Sequence, residues 1–150
     1  MPLSQVDISG KKVVYREATA TGRINLKPST IKLIRKGELE KGDPISLAAA
    51  SAVLATKLTP NVVVLAHPLR IEKTQPKIVV GDSWVEVSVR VAAHDKTGVE
   101  MEALTAVSIA LLNIWDAVKS HEKDSHGQYP TTAISSIRVV KKVKRAIEAA

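Results

Sequence analysis

The chain has 150 residues, 45% of them hydrophobic and 25% charged, which fits one soluble globular domain able to bury a core without staples. It contains no Cys, which excludes disulfides, thiolate metal sites and a cysteine nucleophile together. The formal net charge is +7, with nine Lys or Arg in residues 11–41 and five in residues 138–145, so an anionic partner is expected: nucleic acid, a nucleotide or a phosphorylated metabolite.

The opening "MPLSQVDISG" has no apolar signal core. The longest apolar runs reach about ten residues, interrupted by Ser108 and Asn113, against the ~20 that span a bilayer. A cytoplasmic protein with no membrane partner is expected. Residues 13–26 are rich in β-branched side chains and partly alternating, which predicts an extended segment. "STIKLIRK" (29–36) reads as a short amphipathic helix closed by Gly37. "KGDP" (41–44) marks a second helix start, with Asp43 as N-cap and Pro44 in the first turn. The small, apolar "ISLAAASAVLATKL" after it suits close packing, and Pro60 is expected to end the helix. "NVVVLAHPL" then reads as a short buried extended piece. Two strands flank the hairpin signal "GDS" (81–83). In the second, Val85, Val87, Val89 and Val91 alternate with Trp84, Glu86, Ser88 and Arg90, which gives it one apolar face. Residues 96–119 predict one long, mostly apolar helix, the polar stretch 121–130 a loop, and residues 132–144 a last strand.

The order of the main elements is βαββαβ. It predicts an α+β class, a ferredoxin-like sandwich with an antiparallel sheet and helices on one face. The expected organisation is one domain over 1–150: an N-terminal extended segment and short helix in 1–40, and a ferredoxin-like core completed by 41–145.

The long helix poses the chemical question, because a buried helix has no use for Glu100, Glu102, Asp116 and Lys119 unless they are paired. Glu102, Thr105, Asn113 and Asp116 fall on one stripe, with Glu100 roughly opposite. Asp116 and Lys119 are three apart and within reach of each other, so a plain intrahelical ion pair is the simplest reading. Glu102 and Asp116 lie ~21 Å apart along the axis, too far to act together in one helix. A second copy packed antiparallel would bring them together and would cover the apolar surface. "KGDP" offers helix N–H groups and Lys41 to a phosphate, without P-loop spacing. His67 sits in an apolar run, where a histidine is more often structural than catalytic. No zinc motif is present.

"VDISGK", "YREATATGRI", "KGD", "TKLTP", "HPL" and above all "KTGVEMEALTAVS…WDAVK" resemble, in this order, the cyclic pyranopterin monophosphate synthase family, molybdenum cofactor biosynthesis protein C. The resemblance spans roughly residues 5–140. It implies a lyase that rearranges 3′,8-cyclo-7,8-dihydro-GTP into a pyranopterin, closes a cyclic phosphate and releases pyrophosphate. It also implies a ferredoxin-like subunit in a homohexamer, a trimer of dimers, with active sites at interfaces. Carried over by position, the catalytic residues fall on Lys41, Asp116 and Lys119. Substrate contacts fall on Leu65, Ala66, His67, Met101, Glu102, Arg16 and Lys57. Such a set supplies proton donors and acceptors together with cations for a triphosphate. No cofactor is required, no residue is assigned to a metal, and Mg²⁺ would enter only with the triphosphate or pyrophosphate.

The chain departs from the family's usual pattern at Ala66, where Cys is common, and at Ala49 and Leu58, where Arg is common. "AAHD" precedes "KTG", and "KKVKRAIEAA", more helix-like than loop-like, replaces a Gly- and Lys-rich tail, leaving Lys141, Lys142 and Lys144 as substitute anion binders. Two rivals remain open to the sequence. A basic ferredoxin-like nucleic-acid-binding module agrees with fold order and charge, but lacks the stacking aromatics and motif of an RNA-binding sheet. A non-catalytic assembly subunit would tolerate loss of Lys41 or Lys119.

Overall fold

A computed structural model describes residues 1–147. The elements run β1 (Val14–Asn25), α1 (Pro28–Lys36), α2 (Pro44–Val62), β2 (Lys73–Val80), β3 (Trp84–Asp95), α3 (Glu100–Glu122) and β4 (Ala133–Arg145). The sheet order is β2-β3-β1-β4 with every neighbouring pair antiparallel. This is the ferredoxin-like α+β sandwich, with α1 added between β1 and α2.

The covered face of the sheet follows from period-two alternation. Val85, Val87, Val89 and Val91 of β3 are fully buried beside Ala18, Ala20 and Ile24 of β1. Above them α2 and α3 meet through small residues: Ala48, Ser51, Ala52 and Ala55 on one helix, Ala103, Ala106 and Ala110 on the other. Gly22 sets how closely α3 rides on β1, because a Cβ there would lie 2.8 Å from both Leu111 Cδ1 and Val107 Cγ1. By length and composition α3 would suit a membrane span, but half of that stretch is buried inside the protein, as in a core helix.

Asp43 caps α2, accepting from the Ile45 and Ser46 N–H groups at 3.0 and 3.2 Å, and Gly37 closes α1. Several boundaries differ from expectation. Pro60 does not end α2; the ring removes only its own N–H bond and fixes a helical φ, and the helix runs on to Val62, with Val63 N–H bonded to Thr59 O at 2.8 Å. Residues 63–72 are neither extended strand nor buried. They form the loop between α2 and β2, on which Val64 and Leu65 stand exposed. Helix α3 begins at Glu100 rather than 96, the chain bending at Lys96 and Thr97 before it, and takes in His121 and Glu122 from the expected loop. Residues 141–145 are not helical: they extend β4 along β1, where Lys142 pairs with Ala18 and Lys144 with Arg16. Cross-strand pairing outweighs helix propensity there. The rest of that stretch has no regular structure at 146–147, and 148–150 lie outside the described residues.

Candidate active site

Eight of the ten predicted site residues gather at the two ends of α3. At the C-terminal end, Lys41 and Lys119 both reach Asp116. Lys41 Nζ donates to Asp116 Oδ2 at 2.8 Å and to the Asp116 carbonyl at 3.2 Å, while Lys119 Nζ lies 2.9 Å from Oδ1. The three are therefore one cluster rather than a bare intrahelical pair. Lys41 gets there because Gly42, at φ +94°, turns the chain sharply between buried Leu39 and the Asp43 cap. Hydrogen bonds from Lys41 and then Lys119 pull the Asp116 carboxyl down to about 2, and Asp116 in turn raises Lys119. Asp116 is not buried in the single chain: its side chain is 56% exposed. It faces an open hollow of about 450 Å³ whose apolar walls are Leu112, Trp115 and Ile134.

At the N-terminal end of α3 lies a cavity of about 260 Å³ that brings together Leu65, Ala66, His67, Met101 and Glu102. These are five of the predicted substrate contacts, drawn from the loop after α2 and the first turn of α3. Glu102 is 2% exposed and its Oε1 has no hydrogen-bond partner. Desolvation, assisted by the charges of Glu100 and Asp95, raises its carboxyl to about 7. Its neighbour Glu100 behaves oppositely: burial pushes it up, but Lys142, 2.8 Å away on β4, outweighs that and brings it down. Lys142 is brought to Glu100 by β4, within the stretch 132–144 expected to be the last strand.

Arg16 and Lys57 stand apart from this cavity. Arg16 is buried and spends its guanidinium on the carbonyls of Asp95 and Lys96, at 3.4 and 3.2 Å, holding the turn that leads into α3. Lys57 lines a second groove with Thr56, Lys73 and Thr74, separated from the first by the shared wall of Leu69. The sequence reading missed the N-terminal segment. Val6, Ile8 and Lys11 line the cavity, and Gln5 Nε2 donates to the Leu65 and Ala66 carbonyls, both at 3.3 Å. The alternation of Val6 and Ile8 was its only local signal. Among the described residues no group of three His, Asp or Glu is disposed to hold a metal ion.

The uncovered face of the sheet is the alternative surface, and its carboxylates Glu17 and Glu86 are each paired with an arginine. Arg90 Nη2 lies 2.6 Å from Glu17 Oε1, and Arg23 Nη2 3.2 Å from Glu86 Oε2. Its aromatic rings are also occupied, Trp84 under Arg23 and Tyr15 under Arg145. It offers no stacking platform to a nucleic acid.

The sequence profile of the MoaC family matches residues 5–144. The chain belongs to the MoaC family. Its relatives include proteins named "Probable cyclic pyranopterin monophosphate synthase" from Aeropyrum pernix, 56% identical over 140 residues (93% of this chain and 94% of that protein), and from Sulfolobus acidocaldarius, 52% identical over 139 residues (93% and 97%). A third, of the same name, from Pyrococcus abyssi, is 49% identical over 142 residues (95% and 89%). Membership in the MoaC family therefore extends over both ends of α3 and every predicted site residue.

Proposed function

We propose that this protein is a lyase of molybdenum cofactor biosynthesis that converts 3′,8-cyclo-7,8-dihydro-GTP to cyclic pyranopterin monophosphate and releases pyrophosphate. The observation that carries the reading is the Lys41–Asp116–Lys119 cluster, in a chain that matches MoaC relatives over nearly its whole length. Asp116, ionised down to about pH 2, is no proton donor near neutrality. Its work is to hold two ammonium groups, which are themselves the proton donors and the counter-charge for the departing pyrophosphate. Glu102, whose carboxyl titrates at about 7, suits the purine-rearranging half of the reaction, where a proton must be given and taken back. His67, Leu65, Ala66 and Met101 surround the ring system, and Arg16 serves it from behind, by holding the turn that leads into α3. The reading needs no resident cofactor, and Mg²⁺ enters only as the counter-ion of the triphosphate.

We further propose that the working form is a hexamer in the cytoplasm, a trimer of dimers with the site completed across an interface. Two features support this. Within one chain Asp116 and Glu102 are ~21 Å apart along α3, too far for one substrate's reacting centre. Leu47, Leu54, Leu58 and Val62 also form an exposed apolar stripe along α2, flanking its buried alanines.

The deciding experiment incubates the purified protein with 3′,8-cyclo-7,8-dihydro-GTP and follows pyrophosphate and pyranopterin together, with Lys119→Ala alongside. Both products forming only with the unsubstituted protein is the expected result. Neither binding nor turnover by the unsubstituted protein would sink the reading.

A further inference from the structure

The last turn of α3 does more than present Asp116 and Lys119. His121 Nε2 lies 3.0 Å from Glu40 Oε2, and since an ionised carboxylate only accepts, Nε2 carries the hydrogen that is donated. That bond holds Glu40 below the ordinary carboxylate value. Glu40 is the residue immediately before Lys41. One residue beyond His121, fully buried Glu122 accepts from the Lys27 N–H at 3.0 Å, from the Thr132 hydroxyl at 2.7 Å and from the Thr30 hydroxyl. Lys27 is the N-cap of α1 and supplies no side-chain cap of its own, so Glu122 caps that helix from a distance. The segment running from Lys27 through α1 to Lys41 is therefore fastened to the last two turns of α3 at both ends: by Glu122 where it begins, by His121 and Asp116 where it finishes.

We propose that His121 is a positioning residue for Lys41: by bonding Glu40 it fixes the turn that lays the Lys41 ammonium against Asp116. Without that bond the turn has buried Leu39 on one side and the Asp43 cap on the other, and between them only the flexible Lys41 side chain reaches α3. Lys119 needs no such help, being on the same helix as Asp116. The inference rests on the proposed function only in assigning Lys41 a part in turnover; the geometric part stands on the pairing itself.

The test uses the full chain with His121→Ala, Glu40→Ala and the conservative His121→Gln, whose amide can still donate to Glu40. The first readout needs no substrate. Acetylation of Lys41 by a water-soluble N-hydroxysuccinimide ester is followed by peptide mass spectrometry, with Lys119 as internal reference. A free amine reacts faster than one held in an ion pair. Lys41 labelling relative to Lys119 is therefore expected to rise about fivefold in His121→Ala and Glu40→Ala, and to return to within about twofold of the unsubstituted protein in His121→Gln. The second readout is kcat/KM on the cyclised dihydro-GTP, expected to fall about tenfold in the first two variants and to recover in the third. Melting temperature is expected to stay within about 2 °C throughout, because an exposed pair contributes little to stability. Unchanged Lys41 labelling in a folded His121→Ala variant overturns the proposal, as does failure of His121→Gln to restore it. If the unsubstituted protein itself gives no turnover, the proposed function fails, and the labelling ratio alone still decides the role of His121.

Discussion

The two ends of α3 treat a carboxylate in opposite ways. In the first turn Glu102 is dry, has an oxygen without a partner and holds its proton to about pH 7. Four turns on, Asp116 is half in water, has an ammonium on each oxygen and stays ionised down to about pH 2. Neither difference lies in the residue type; it comes from what each neighbourhood offers the charge. Water and two cations keep one acid permanently charged, and their lack at the other leaves a carboxyl able to change state near neutrality. One helix thus carries a fixed electrostatic post and a titrating group, held rigidly apart.

The strongest way to break the contrast is at Asp116. Asp116→Ala leaves two ammonium groups facing each other with no anion between them, and kcat/KM is expected to fall at least about a hundredfold, with Lys119→Ala similar. Retention of most activity in either variant, measured on the cyclised dihydro-GTP, would remove the cluster from the mechanism.

Next in size is a third acid on the same helix. Glu122 is as dry as Glu102 but saturated with donors, so Glu122→Ala strands an N–H and two hydroxyls and is expected to cost about 4 kcal/mol in urea unfolding. A loss below about 1 kcal/mol would mean that donors, contrary to the contrast drawn here, do not decide how a buried acid behaves.

Glu102→Gln sharpens the comparison through pH. The folded carboxyl keeps its proton up to about pH 7, while the unfolded chain releases it near 4.5. Between those values the native state binds more protons, so stability falls as pH rises and levels off above pH 7. The substitution abolishes that decline. The variant is expected to gain on the parent between pH 5 and 8, on the order of 2–3 kcal/mol, with no gain below pH 4. Parallel stability curves for the two proteins across this range would show that Glu102 is not the titrating group. The smallest effect belongs away from α3. Glu86→Gln removes an ion pair with Arg23 on the open sheet face, both side chains about 40% exposed, and is expected to change stability by less than about 0.5 kcal/mol.

What could be read from the sequence follows from how local its causes are. The strand β3 and the cap at Asp43 were legible because alternation and capping act over two or three residues. Asp116 and Lys119 were legible as a pair for the same reason, and their link to Lys41 came only through the family resemblance. The loop after α2 was misread because "VVVLA" has the composition of a buried strand, and nothing in it says that these residues are left on the surface between α2 and β2. The C-terminal lysines carried two readings, the end of a strand over 132–144 and a helix-like tail from 141, because the partner that decides between them, β1, stands more than a hundred residues upstream. The His121–Glu40 bond and the Glu122 knot left no trace in spacing at all, since their partners are 81 and up to 95 residues away. Local causes wrote the elements; the contacts that join the site's pieces are long-range.

The two margins of the sheet have a consequence of their own. β2 carries Pro76, which leaves a gap in any ladder built onto that strand. β4, on the other side, is broken by two register shifts, holds Ser136 at φ +59° and is lined with lysines. Each is a poor template for an incoming strand. A chain with 12- and 13-residue strands at the centre and one border of its sheet can therefore stay dispersed at high concentration, without zipping edge to edge into fibres.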